Sequence, residues 1–91
     1  MKLQFTKQPI EVLDYDVDYS NWLSTGDSIQ SATASISPSG LTLSNVQVNG
    51  SIAKIWLSGG ANDTLYKVTV NLTTTGGRIS QEEFYVFVKD L

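Results

Sequence analysis

From Leu13 onward, apolar and acidic residues alternate strictly as Leu13-Asp14-Tyr15-Asp16-Val17-Asp18-Tyr19, and the run closes on Ser20-Asn21-Trp22-Leu23. A period of two is the signature of a strand and not of a helix. Successive strand side chains project to opposite sides, so Leu13, Tyr15, Val17 and Tyr19 share one face. Asp14, Asp16 and Asp18 share the other, about 7 Å apart along it. The pattern predicts one dry face and one wet face.

The remaining chain punctuates in the same style. Ser24-Thr25-Gly26-Asp27-Ser28 reads as a turn cluster, after which Ser and Thr alternate with Ala32, Ala34 and Ile36 in a second strand from Ile29 to Ile36. Pro38-Ser39-Gly40 ends it, and Leu41-Thr42-Leu43 restarts an extended segment through Val46 and Val48. Asn49-Gly50 is the favoured centre of a two-residue hairpin turn, because both residue types tolerate positive φ. Ile52 to Leu57 is therefore expected to pair antiparallel with the strand before it. Beyond Gly59-Gly60-Ala61-Asn62-Asp63, the residues Tyr66, Val68, Val70 and Leu72 alternate with Lys67, Thr69, Asn71 and Thr73. Thr75-Gly76-Gly77-Arg78 supplies another turn. A last strand from Ile79 to Val88 carries Phe84, Val86 and Val88 on one face and Tyr85 and Phe87 on the other.

Six or seven strands with regular turn signals and no helical period predict an all-β fold, an immunoglobulin-like β-sandwich of about seven antiparallel strands. The two cysteines that bridge the sheets of antibody domains are missing, so only the architecture carries over. Trp22 and Trp56 are the candidates to fill its centre, each burying on the order of 200 Å². Residues 12–91 are assigned to the sandwich. Residues 1–11, where Lys2, Gln4, Lys7 and Gln8 surround only Leu3 and Phe5 before Pro9, read as an N-terminal arm or edge strand. Fraying explains such a terminus most simply, and pairing with a neighbouring subunit is the alternative. For Tyr85 and Phe87 a place in the core is expected first, a subunit interface second and carbohydrate stacking last.

A length of 91 residues fits one domain. The charged fraction of 16% lies below the usual quarter or so, and Ser, Thr, Asn and Gln take its place. Such a surface suits flat protein contacts, from whose centres charge is depleted. A net charge of −3 with six scattered basic residues excludes nucleic acid as the expected partner. Met1 to Ile10 lacks the apolar stretch of a secretory signal, and no window is long enough to span a bilayer, so synthesis in a host cytoplasm without a membrane partner is expected.

With no histidine and no cysteine, most nucleophile and base pairs and the usual transition-metal ligand sets are missing. The pair Glu82-Glu83 and the Asp triplet offer paired acids, but a general acid needs a carboxyl desolvated in a cleft, which a small sandwich seldom builds. No catalytic residue and no cofactor are expected. Asp14-Tyr15-Asp16-Val17-Asp18 has the spacing that opens a calcium loop, but Tyr19 occupies the sixth position where glycine belongs and Thr25 the twelfth where Glu belongs. A row of carboxylates on a strand is the simpler reading, and like charges in a row favour a basic partner opposite. The sequons at Asn49, Asn62 and Asn71 are attributed to the abundance of Asn, Ser and Thr.

The segment Val12 to Leu23, read as "VLDY…D-aromatic-S…WL", resembles the opening of a family of small immunoglobulin-like virion proteins of tailed bacteriophages, the fibre-tail adaptor proteins. Trp56-Leu57-Ser58-Gly59-Gly60 followed by Tyr66-Lys67-Val68 is similar to the family's "WLSGG…Y-x-V" pattern. Thr75-Gly76-Gly77-Arg78 before Phe84 is similar to its "T-x-x-G-R…F" ending. The resemblance extends from about Thr6 to Lys89, and Tyr19 departs from it by standing where tryptophan is frequent. It implies a structural protein of the virion's neck or tail that joins fibres or neighbouring rings to the head-tail connector, in multiple copies around the tail axis. Candidate contact residues are Phe5, Asp14, Asp16, Asp18, Tyr85 and Phe87. The alternatives are a capsid-decorating or host-glycan-binding domain, and a bacterial adhesion or enzyme-accessory module flanked by linkers. A chain that starts at Met1 and stops three residues after Val88 reads as a complete small gene product.

Overall fold

Period-two alternation is what the fold uses throughout. The computed structural model describes residues 3–90 and arranges them as β1 (Leu3–Lys7), β2 (Val12–Asp18), β3 (Ile29–Ser37), β4 (Leu41–Asn49), β5 (Ile52–Gly59), β6 (Thr64–Thr74) and β7 (Ile79–Val88). The strands form a four-stranded sheet in the order β1-β7-β6-β3 and a three-stranded sheet in the order β2-β5-β4. Every pairing is antiparallel except that of β1 with β7, which runs parallel from Leu3 opposite Phe84 to Lys7 opposite Val88. The arrangement is sandwich-like and all-β. Its strand order is compatible with the seven-stranded immunoglobulin-like pattern, with the first strand beside the last.

The core lies between the sheets. Tyr66, Val68, Val70 and Leu72 of β6 are fully buried, as are Val86 and Val88 of β7 and Ala53, Ile55 and Leu57 of β5, while Phe84 keeps only a sliver of exposure. The dry face expected of β2 supplies Tyr15, with Leu13 and Val17 packed around it, and the chain beyond β2 supplies Tyr19. Tyr66 keeps its polar end satisfied, its hydroxyl accepting the Ala61 amide at 2.8 Å. At Gly60 (φ +105°) the backbone is left-handed and a Cβ would stand 2.6 Å from a Val88 methyl, so glycine is required twice over.

Neither tryptophan fills the centre. On β5 the inward positions belong to Ala53, Ile55 and Leu57, so period two sends Trp56 to the outer face, half-buried opposite Asp14 and Asn45. Trp22 sits in the β2–β3 connection, half-buried and edge-on to Tyr19 at 5.8 Å between centroids. Tyrosines do the central filling instead. Tyr85 and Phe87 are likewise outside the core, because Phe84, Val86 and Val88 claim the inward positions of β7. The β4–β5 hairpin turns one residue later than expected. Asn49 pairs with Ile52, leaving Gly50-Ser51 as the loop with positive φ at Gly50 alone, the pattern of a type II′ turn.

β1 ends on Lys7, a lysine with no exposed surface. Its Nζ donates to the carbonyl oxygens of Gly59 at 2.6 Å, Gln8 at 2.8 Å and Pro9 at 3.4 Å. Burial pulls its pKa below 10.5, opposed by the negative charge of Glu11. Met1 and Lys2 lie outside the described residues, so the arm expected over residues 1–11 is traced only from Leu3.

Candidate interaction surfaces

The aspartate row of β2 faces outward, as a strand dictates. Asp16 stands directly opposite Lys54 of β5, and Lys54 reaches Asp14 at 2.9 Å and Asp16 at 3.3 Å. The Lys54 contact holds the Asp14 carboxyl below the usual carboxylate range and raises the Lys54 pKa. Asp18 accepts the Ser20 amide at 2.8 Å, which lowers its pKa too. The basic partner expected opposite the row is thus supplied, for two of the three aspartates, by the chain itself. Among the described residues, no three acidic side chains converge in a group that could hold a metal ion.

Tyr85 and Phe87 stand on the outer face of the four-stranded sheet. Cross-strand register sets Tyr85 between Gln4 of β1 and Lys67 of β6, and Phe87 between Thr6 and Leu65. Leu65 is about half exposed, so with Phe87 it forms a small apolar patch. Lys67 bridges diagonally to Glu83 at 3.4 Å.

Phe5 turns the other way, toward the opening between the two sheets where β1 and β2 are the neighbouring edges. Its ring lies 4.9 Å from Tyr15 and 5.8 Å from Phe84, and Tyr15 and Phe84 stand 5.6 Å apart, a mutually tilted triad. Beside the triad runs a groove of about 430 Å³ lined by Phe5, Tyr15, Val17, Tyr19, Trp22 and Phe84, bordered by Asp16, Asp18, Glu82 and Glu83, of which only Glu82 shares the inward phase of Phe84. Three of the six residues named from sequence, Phe5, Asp16 and Asp18, meet here. Asp14, Tyr85 and Phe87 do not.

Two tyrosines of this groove carry an unmet demand. Tyr15 is 8% exposed and Tyr19 3%, and neither hydroxyl has a hydrogen-bond partner. A buried polar group left unpaired costs about 1–3 kcal/mol. Burial pushes the Tyr19 hydroxyl up to about 12, with the charge of Glu82 adding to it, and burial also raises Tyr15, helped by Glu11. At the far side of Trp22 the Arg78 guanidinium lies 4.0 Å over the indole, with Nη1 donating to the Trp22 carbonyl at 2.9 Å and the Ser24 hydroxyl at 3.0 Å. The groove went unread in the sequence because β1, β2 and β7 each contribute a few residues to it.

The opposite flank has the contrary character. β3 and β4 are the outer strands of their sheets, and from Ser28 to Ala53 the chain carries no charged residue. Each strand has a register shift, between Ile29 and Ser31 in β3 and between Leu43 and Asn45 in β4. This uncharged run is a sequence signal that alternation alone passes over. No helix among the described residues is long and apolar enough to cross a membrane.

Comparison with known proteins adds one finding. The family model described as "Podophage GP4 fiber-tail adaptor protein gp77" matches residues 7–87. No curated protein matches the chain.

Proposed function

Because the chain belongs to this family of podophage fibre-tail adaptor proteins, we propose that it stands in the neck or tail of the virion and joins fibres or neighbouring rings to the head-tail connector. The observation that carries this reading is the family match from residue 7 to residue 87, nearly the whole chain. The physical surface supports it. A cysteine-free sandwich presents an aromatic-walled groove along the β1/β2 flank and two uncharged strand edges along the β3/β4 flank, so dissimilar neighbours can be held at once. Its work is docking by shape, edge pairing and avidity, with no chemical step. Copies arrayed around the tail axis convert individually weak contacts into a firm joint.

The test compares reconstructions of virions from particles with and without this gene product. Loss of density at the neck or tail together with the fibres is the expected result. Intact necks with fibres in place, and density lost from the capsid surface instead, would replace the adaptor reading by decoration.

A further inference from the structure

We propose that Asn49 is a site of spontaneous chemical modification, where the side-chain amide is lost through a cyclic imide formed with the backbone nitrogen of Gly50. The chain holds five asparagines, and the residues that follow them are Trp22, Val46, Gly50, Asp63 and Leu72. Only at Asn49 does the next residue lack a β-carbon, whose bulk hinders attack of its nitrogen on the asparagine side chain. The fold adds to this signal. Asn49 and Gly50 are both exposed at the tip of the β4–β5 hairpin, and a Cβ at Gly50 would meet nothing within 4 Å, so a five-membered ring has room to close. In a two-residue hairpin the ladder bonds run between the residues flanking the loop, which leaves the Gly50 N–H to solvent. Neither that N–H nor the Asn49 side chain is hydrogen-bonded among the described residues. Elsewhere the groups are held. Trp22 N–H, next to Asn21, donates to the Tyr19 carbonyl at 2.9 Å, while Asn62 Oδ1 accepts from the Asp90 amide at 2.7 Å and Asn71 Oδ1 from Gln81 at 3.1 Å.

The reaction needs only water. Gly50 nitrogen, once its proton has left, bonds to Asn49 Cγ; the Cγ–Nδ2 bond breaks, and the amide nitrogen takes up a proton and departs as ammonia. Water then opens the imide. Attack at Cγ restores the original backbone and leaves aspartate, whereas attack at the backbone carbonyl leaves isoaspartate, whose main chain runs through Cβ and Cγ and is one methylene longer. Either product adds a negative charge to a chain whose formal net charge is −3. No charged residue lies between Ser28 and Ala53, so the new carboxylate ends the neutrality of the β3/β4 flank, at the end of edge strand β4. Charge on an edge discourages pairing. The longer main chain of isoaspartate also breaks the register of Asn49 with Ile52 and disturbs the adjoining Ser51 carbonyl, which accepts the Tyr19 amide at 2.8 Å. The hairpin tip is thereby coupled to the segment leading from β2 to Trp22. Nothing in this chemistry depends on where in the virion the protein stands.

The experiment ages the full folded chain in mildly alkaline buffer and maps amide loss by mass spectrometry, with electron-transfer fragmentation to tell aspartate from isoaspartate. The expected result is loss at Asn49 at least about tenfold faster than at Asn21, Asn45, Asn62 or Asn71, with isoaspartate among the products. Gly50→Ala is expected to slow the loss about tenfold or more. Asn49→Gln, which keeps an amide at the hairpin but would have to close a six-membered ring, is expected to stay intact over the same period. In the isolated isoaspartate form the Tyr19 amide is expected to exchange its hydrogen at least about fivefold faster than in the fresh chain, whereas in Asn49→Asp it does not. Amide loss spread evenly over the five asparagines would overturn the proposal. So would an Asn49 that stays intact in the folded chain while it converts in the urea-unfolded chain, since the hairpin would then forbid the ring.

Discussion

Replacing Lys7 by methionine isolates the polar end of a side chain whose stem is already buried. Methionine keeps nearly the same length and flexibility, so the change leaves no large void. What it removes are the short bonds from Nζ to the carbonyls of Gly59 at 2.6 Å and Gln8 at 2.8 Å, the 3.4 Å contact to Pro9 being too long to add much. Charge-assisted bonds of this kind contribute about 1.5–3 kcal/mol each. Against that stands the relief of no longer burying an ammonium that has no carboxylate in hydrogen-bond contact, which leaves a net destabilisation of about 2–3 kcal/mol. In a domain of this size that lowers the melting temperature by roughly 10–20 °C. The assay is thermal unfolding followed by circular dichroism, with hydrogen exchange reporting whether the β1 amides open first. The pH dependence has a definite sign. Because the folded pKa of Lys7 lies below 10.5, the unfolded chain holds more protons between the two values. Wild-type stability therefore gains as pH rises through that window, and Lys7→Met loses the gain. A fall in melting temperature under about 3 °C, with β1 exchange unchanged, would refute the view that Lys7 pins the first strand to the β5–β6 corner.

Two other substitutions probe the frame that holds the groove and its neighbouring turns. Gly60→Ala places a Cβ 2.6 Å from Val88 Cγ2 at φ +105° and is expected to cost about 2–4 kcal/mol, read as a lower urea midpoint with unchanged slope. Asp27 is held down to about 2, chiefly by the Thr75 hydroxyl, with the Gly76 and Ser28 amides adding to it. Its folded pKa is lowered, so its contribution is present above the ordinary value near 3.8 and lost as pH falls toward 2. Asp27→Asn is expected to lower the urea midpoint at pH 7 and to flatten its decline between those values; an unchanged acid limb would refute the role.

How far the sequence could be read follows from where its information is local. β2, β6 and β7 were legible because each alternates cleanly, and Tyr15, Tyr66 and Phe84 are inside as their phase requires. The tryptophans depart from the central position their size suggests because phase outranks size. Trp56 is one residue out of step with Ala53, Ile55 and Leu57, and a sandwich honours the step. The same rule puts Tyr85 and Phe87 outside. At the hairpin, Asn49-Gly50 marked the turn correctly to within one residue, but the pairing of Asn49 with Ile52 is fixed by the packing of both strands and not by the dipeptide. Lys7 was unreadable for a different reason. Its acceptors at Gln8 and Pro9 are adjacent, but the short bond that explains its burial goes to Gly59, brought near only when β1 pairs beside β7.

The groove and the uncharged flank are opposite outcomes of one topological fact. A sandwich of two open sheets has two sides on which edges meet, here β1 with β2 and β3 with β4. Each edge exposes backbone donors and acceptors that invite pairing, and charges on an edge normally discourage it. On the β1/β2 side the edge strand β2 carries an outward row of aspartates beside a gap that Phe5 only partly closes. On that side, edge pairing with a second acidic strand carries an electrostatic penalty. On the β3/β4 side the strands carry Ser, Thr, Asn and Gln and rely on their register shifts alone to blunt the edge. Such an edge tolerates pairing without an electrostatic penalty and with little dependence on salt. The two flanks of this 91-residue domain thus follow different physical rules for edge pairing.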